Sequence, residues 1–178
     1  MKEAIRKLTR LAPVTLLVRL AMCVFEGVSR AASVLKTAAL FPHAAELPRC
    51  HWSVTVKCAE NIKLGHAVVI GPKCTLGGTG GITLGDHVRL SEGVMIESAG
   101  LDFTKDPPYP HTHRPIVIEE AVWIGAHAVI LAGVTLGARS VVGAGAIVSR
   151  SVPADTIVAG TGVKQWPRQD GRTHGGER

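Results

Sequence analysis

From Ile118 onward an aliphatic side chain returns at every sixth residue: Ile118, Ile124, Ile130, Leu136, Val142 and Val148. Four residues after each stands a small or β-branched one, namely Val122, Ala128, Val134, Ser140, Ala146 and Val152, and Gly125, Gly137 and Gly143 directly follow three of the aliphatics. The same frame runs earlier through Trp52, Cys58, Leu64, Ile70 and Leu76, slips by two residues at 77–81, and resumes through Leu84, Leu90 and Ile96. A helix has no use for a strict period of six, because 3.6 residues per turn would carry the apolar position around every face. A flat strand would alternate along its whole length, whereas here each short extended run is broken by glycine or another small residue. The pattern predicts a chain coiled as a prism, with one aliphatic pointing inward on each side and a tight turn at each corner. Three hexads per coil give about 18 residues per turn and between about four and five coils. Cys58 and Cys74 then fall at inward positions, as core residues.

The first 36 residues follow a different period. Leu8, Leu11, Val18, Met22 and Phe25 are spaced as one helical face, and Leu17, Leu20, Val24, Val28 and Leu35 as a neighbouring stripe. This predicts one or two amphipathic helices, with Pro13 opening the second or kinking the pair. Two readings of the arm stay open: packing on the main domain or a partner subunit, and peripheral attachment to an anionic membrane surface. Residues 11–25 are apolar behind a basic start, but Arg19 interrupts them and no clean A-x-A site follows, so neither a signal peptide nor a bilayer span is expected. The expected organisation is an arm and linker over 1–48, a solenoid over 49–163 and a tail over 164–178.

Composition sharpens the core. Hydrophobic residues make up 46% of the 178 and aromatics only 4%, as a narrow aliphatic ladder requires. The net charge of +6 invites a nucleic-acid reading until it is divided. Residues 1–36 hold seven Lys/Arg against Glu3 and Glu26, residues 37–163 hold nine basic against ten acidic side chains, and the tail carries an excess of two basic charges. The solenoid is therefore near neutral, and no nucleic-acid partner is expected. The four cysteines show no C-x-x-C spacing, which suits a reducing compartment.

The stretch RPIVIEEAVWIGAHAVILAGVTLGARSVVGAGAIVSRSVP, residues 114–153, resembles the P-I-x-I-x-x-x-V-W-I-G and G-A-G-x-V-V patterns of the hexapeptide-repeat acyltransferases. The likeness covers roughly Trp52 to Lys164, and is nearest to the maltose, galactoside and colanic-acid type O-acetyltransferases. It implies an all-β solenoid that is a left-handed parallel β-helix, a homotrimer with clefts between subunits, and acetyl-CoA as donor with a sugar or glycan hydroxyl as acceptor. The compartment it implies is cytoplasmic, at the inner face of a membrane if the arm binds lipid. By the same resemblance Trp123, Ala126, Ala144, Ser149, Arg150 and Lys164 match coenzyme A contacts, although the family's G-x-P near the end of the coils is G-T-G here, residues 160–162.

The hexad register breaks most widely between Ile96 and Ile118. The segment 100–115 holds four of the ten prolines and two histidines, so it must leave the prism as a loop. Transfer of an acyl group to a hydroxyl needs a base, since an alcohol stays protonated near neutral pH. The family's base is a histidine at the start of this loop, but here that position is Leu101. Three accounts remain: His111 or His113 reaches back as the base, with a lean to His111; another group such as Asp102 activates the acceptor; or catalysis is lost and the chain is a trimeric scaffold or binding module. His66, His87 and His127 fall near corners and read as solvated. The H-x-x-x-x-H pair of the zinc-dependent carbonic anhydrase type is absent, so no metal site is expected. The glycine-rich 77–81 is read as an insertion turn between coils.

Overall fold

The structure, a computed structural model, describes residues 12–44, 46–160 and 164–167. Short parallel strands stack into three faces of a left-handed prism. The first face carries Arg49–Cys50, Val69–Ile70, Arg89–Leu90, Trp123–Ile124, Val141–Val142 and Thr156–Ala159 in that order, closed by an antiparallel strand at Lys164–Pro167. The second carries Thr55–Lys57, Thr75–Gly77, Met95–Glu97, Val129–Leu131 and Ile147–Val148. The third carries Ile62–Leu64, Ile82–Leu84, Ile116–Ile118 and Thr135–Leu136, with Val152 bridged onto Leu136. Five complete coils result, and a sixth is begun.

Every inward aliphatic from Ile70 to Val148 lies in one continuous buried column, and the residues four places after each flank it except after Leu76 and Ile96, where the chain leaves the prism. The glycines that follow the aliphatics have a steric reason. A Cβ on Gly125 would sit 2.6 Å from the backbone nitrogen of Ala144 in the next coil, closer than non-bonded atoms approach. Left-handed backbone turns the corners, at Ala67, His87, Ala121, Arg139 and Asp155 between the third and first faces and at Lys73, Gly93, His127 and Gly145 between the first and second. His87 and His127 are thus exposed corner residues.

Two expectations change. Trp52 is 44% exposed and Cys58 occupies a corner with φ 52°, so neither belongs to the ladder. A second two-residue slip at 58–61, which forms a turn of 3-10 helix at Ala59–Asn61, shifts the frame so that Cys50 and Val56 take the inward places. The slip at 77–81 lies one coil above it: Gly78 donates its backbone N–H to the carbonyl of Lys57 at 3.0 Å. Ser98, buried, ties this turn by donating to the carbonyl of Gly77 at 2.6 Å and accepting from the N–H of Gly80 at 2.8 Å.

Among the described residues the arm holds one helix, α1, Ala12–Leu40, with Pro13 in its first turn, where a missing N–H costs nothing. It meets the coils through its polar side. Lys36 Nζ donates to the carbonyl of Trp52 at 2.8 Å and to that of Val54, Thr37 is buried, and Phe41 plugs the lower end of the core. The apolar stripe read as a packing surface faces away from the coils and is exposed.

The free cysteines Cys50 and Cys74 are buried, and burial pushes both thiols up, so they stay protonated at neutral pH. Ser140 is the one ladder residue whose buried hydroxyl has no hydrogen-bond partner among the described residues.

Ile124→Ala removes a fully buried rung side chain and is expected to lower unfolding free energy by about 2–5 kcal/mol, and Gly125→Ala by about 1–3 kcal/mol through the clash with the coil above, both measured by urea denaturation. Ser140→Ala removes an unpaired buried hydroxyl and is expected to raise stability by about 1 kcal/mol in the same assay; a loss would show that the hydroxyl is bonded in solution.

Candidate active site

All the extra residues of the solenoid leave at one corner, between the second and third faces. The first coil contributes its slip at 58–61, the second 77–81, and the third the long excursion between Glu97 and Ile116. The excursion is a two-stranded antiparallel ribbon that pairs Ala99–Leu101 with His111–His113. Its base is fixed by Arg114, whose N–H donates to the carbonyl of Ser98 at 3.0 Å. Its far end is fixed by the N–H of Asp102 donating to the carbonyl of Pro110 at 2.9 Å, with Phe103 packed edge-on against Tyr109 at a ring separation of 5.2 Å.

The ribbon's register sets His111 directly across from Leu101, Thr112 across from Gly100, and His113 across from Ala99. Residues two apart on a strand share a face. The His111 and His113 rings accordingly lie nearly parallel, with centroids 6.4 Å apart. Both border a cleft of about 560 Å³ whose walls are Lys57, Thr79, Glu97, Ala99, Gly100 and Leu101. The three stacked corner excursions thus become one pocket, with a cation, a hydroxyl, a carboxylate and two imidazoles around an otherwise apolar strip. Lys57, Thr79 and Glu97 were not singled out from the sequence. The slips of the hexad frame beside them were the signal that would have found them.

Asp102, the other candidate for activating an acceptor, is otherwise engaged. Its Oδ1 accepts from the hydroxyl of Thr104 at 2.6 Å and from the Thr104 N–H at 3.0 Å. These bonds hold its carboxyl below the usual range, the hydroxyl's being the larger effect, and a carboxylate so stabilised is a weaker base. It does not line the cleft. Two histidines away from the ribbon have ordinary contacts: His66 lies 3.6 Å from the Glu46 carboxylate, and His51 Nδ1 lies 2.7 Å from Ser53 Oγ. Among the described residues no three His, Cys, Asp or Glu side chains gather as a metal site would require.

The positions matched to coenzyme A contacts lie elsewhere on the prism. Trp123 stands on the outer surface of the first face, 53% exposed, its indole N–H donating to Ser91 Oγ at 3.1 Å. Ala126 and Ala144 stack on successive coils at the corner between the first and second faces, where the Gly145 N–H donates to the Ala126 carbonyl at 2.8 Å. Ser149 and Arg150 are exposed at the ribbon's own corner, two coils above it. Lys164 pairs through its backbone with Ala159, and its side chain lies outside the described residues. Within one chain, therefore, the imidazoles and the stacked alanines occupy different corners.

Comparison with known proteins gives this geometry a setting. The profile of the bacterial transferase hexapeptide (six repeats) matches residues 115–150. Galactoside O-acetyltransferase of Escherichia coli is 34% identical over 109 residues, covering 57% of this chain and 51% of that protein. The 2,3,4,5-tetrahydropyridine-2,6-dicarboxylate N-acetyltransferase of Staphylococcus aureus is 45% identical over 82 residues, 46% of this chain and 31% of that one. The chain spans about half of the first of these curated relatives and about a third of the second. Two solved structures match over most of their length. Both are of a hexapeptide-repeat-containing acetyltransferase of Vibrio cholerae. The one complexed with acetyl-coenzyme A has a TM-score of 0.69 at 28% identity, covering 91% of this chain and 92% of that one. The other has a TM-score of 0.65 at 30% identity, covering 78% and 82%. With the repeat, the coiled fold and this likeness in agreement, the chain belongs to the bacterial hexapeptide-repeat transferases.

Proposed function

We propose that the protein is an acetyl-CoA-dependent O-acetyltransferase acting on a hydroxyl of a sugar or glycan precursor, with His111 as general base. The observation that carries the reading is the ribbon register, which sets an imidazole opposite Leu101, the place where the resembling enzymes hold theirs. His111 takes the proton of the acceptor hydroxyl as the oxygen attacks the thioester carbonyl. The tetrahedral intermediate collapses by expelling the coenzyme A thiolate, which receives the proton, so the base is regenerated and the charges balance. His113, on the same face of the strand, is the second candidate.

The donor positions support a site shared between subunits of a homotrimer. A threefold arrangement of prisms places one corner of each subunit beside a different corner of its neighbour. That brings the ribbon of one copy to the groove over Ala126 and Ala144 of the next, where small side chains leave room for an extended pantetheine arm. Arg150 and Lys164 carry positive charge suited to the donor's phosphates. Trp123, exposed on the first face, offers an apolar surface to the same donor.

The test is release of free thiol from acetyl-CoA in the presence of a panel of glycan acceptors. His111→Ala is expected to lower kcat by about 10²–10⁴-fold, and acceptor-dependent turnover unchanged in His111→Ala with His113→Ala would overturn the base assignment. Failure of the wild-type protein to bind acetyl-CoA in calorimetry would instead favour a non-catalytic trimeric scaffold. Ala144→Phe, which fills the groove over the stacked alanines, is expected to raise KM for acetyl-CoA by about tenfold or more while kcat changes little; a matching fall in kcat would place Ala144 nearer the reacting atoms.

A further inference from the structure

Helix α1 carries two unlike faces. At about 100° per residue, Arg19, Glu26, Arg30, Ser33 and Thr37 fall on one side, and the last turns of this side meet the coils: Thr37 is buried, and Arg30 and Ser33 line a cavity of about 800 Å³ shared with Arg49, Cys50 and Ile70, while Arg19 and Glu26 are exposed. Turned away from it lie Leu17, Leu20, Val24, Val28 and Leu35, between 61% and 71% exposed. The apolar face covers about half the circumference, wider than the narrow seam by which helices pair in a coiled coil. Among the described residues no helix is long and apolar enough to cross a membrane.

The geometry points to a peripheral docking surface for an anionic lipid bilayer. Because the solenoid hangs from the polar side of the helix, the apolar side can sink into the headgroup and acyl boundary without carrying the coils into the lipid. Charge favours the same partner. The seven basic side chains within residues 1–36 outnumber the two acidic ones there, while the solenoid itself is near neutral, so attraction to phosphate headgroups acts on the arm alone. This inference does not rest on the proposed acetyl transfer, and a protein without turnover would still show it.

The experiment is flotation of the full chain with vesicles of phosphatidylcholine alone and of phosphatidylcholine with about one third phosphatidylglycerol, at low and at high salt. Binding is expected to the anionic vesicles, to weaken as salt rises, and to fall at least about tenfold in Leu20→Glu with Val24→Glu. Because those two side chains are remote from the coils, the thermal transition of the solenoid should be unchanged in the variant, which separates lost docking from lost folding. Failure of the wild-type chain to float with anionic vesicles, or equal flotation of the variant, would overturn the inference. So would a fall in oligomeric mass on making the variant, seen by sedimentation equilibrium without lipid, since a second copy would then cover the face.

Discussion

The structure depends on a single closure condition: each side of the prism must be spanned in about six residues so that successive coils stack in register. Under that condition a residue is committed to point inward, to turn a corner or to face outward, and there is no slack along a side. The inward column from Ile70 to Val148 satisfies it with aliphatics alone, and Gly125 satisfies it where any side chain would strike the coil above. Surplus chain has one way out, which is through a corner. It leaves through the same corner in the first three coils, so 58–61, 77–81 and the 97–116 excursion lie one above another. Stacking is what turns two small bulges and a loop into a cleft, because the rungs beneath them hold the three excursions at strand spacing.

The ribbon shows how pairing can bring a side chain distant in sequence beside a given position. A leucine stands where related sequences place a histidine, and a loop read only as residues in order would leave the imidazoles ten and twelve positions away. Antiparallel pairing removes that separation, since His111 and Leu101 become cross-strand neighbours. The hairpin needs a stable far end to hold this register over three residue pairs. Asp102 supplies it by accepting from both Thr104 donors, and Phe103 against Tyr109 adds an aromatic contact. That carboxylate is spent on architecture, while His111, His113 and Glu97 border the cleft.

Much of this was legible in the residues, and the failures have physical causes. The six-residue period carried the fold because it repeats over enough coils that no helix or flat sheet could share it. The frame below Leu64 misled because Trp52 and Cys58, both apolar, happen to fall six apart, while the slip of two that displaces them carries no glycine run like that at 77–81. Val56 and Cys50 fit the ladder equally well, and only the paired register of Thr55–Lys57 with Thr75–Gly77 decides between the frames. The loop's exit was legible from its prolines and polarity. Its internal pairing was not, since strands of three residues leave no period to read. Nor does a single chain's pattern reveal that Ala126 and Ala144 lie on a different corner from His111, because hexads label faces only once the corners are known.

A β-solenoid also has two open ends, each an edge of unpaired strand and exposed core that invites further pairing. The two ends are closed differently here. At the top, Lys164–Pro167 folds back antiparallel on Thr156–Ala159 and ends the parallel stack. At the bottom, Phe41 fills the mouth of the core while Lys36 takes up the carbonyls of Trp52 and Val54. Capping the lower end needs only the last turns of α1. A helix of 29 residues is far longer than that task requires, and its preceding turns place bulky apolar side chains in solvent. Those turns add nothing to closure of the coils and carry a cost in exposed apolar area. Their length and their wide apolar face belong to a role outside the solenoid, and the cap sets the direction in which that role can act.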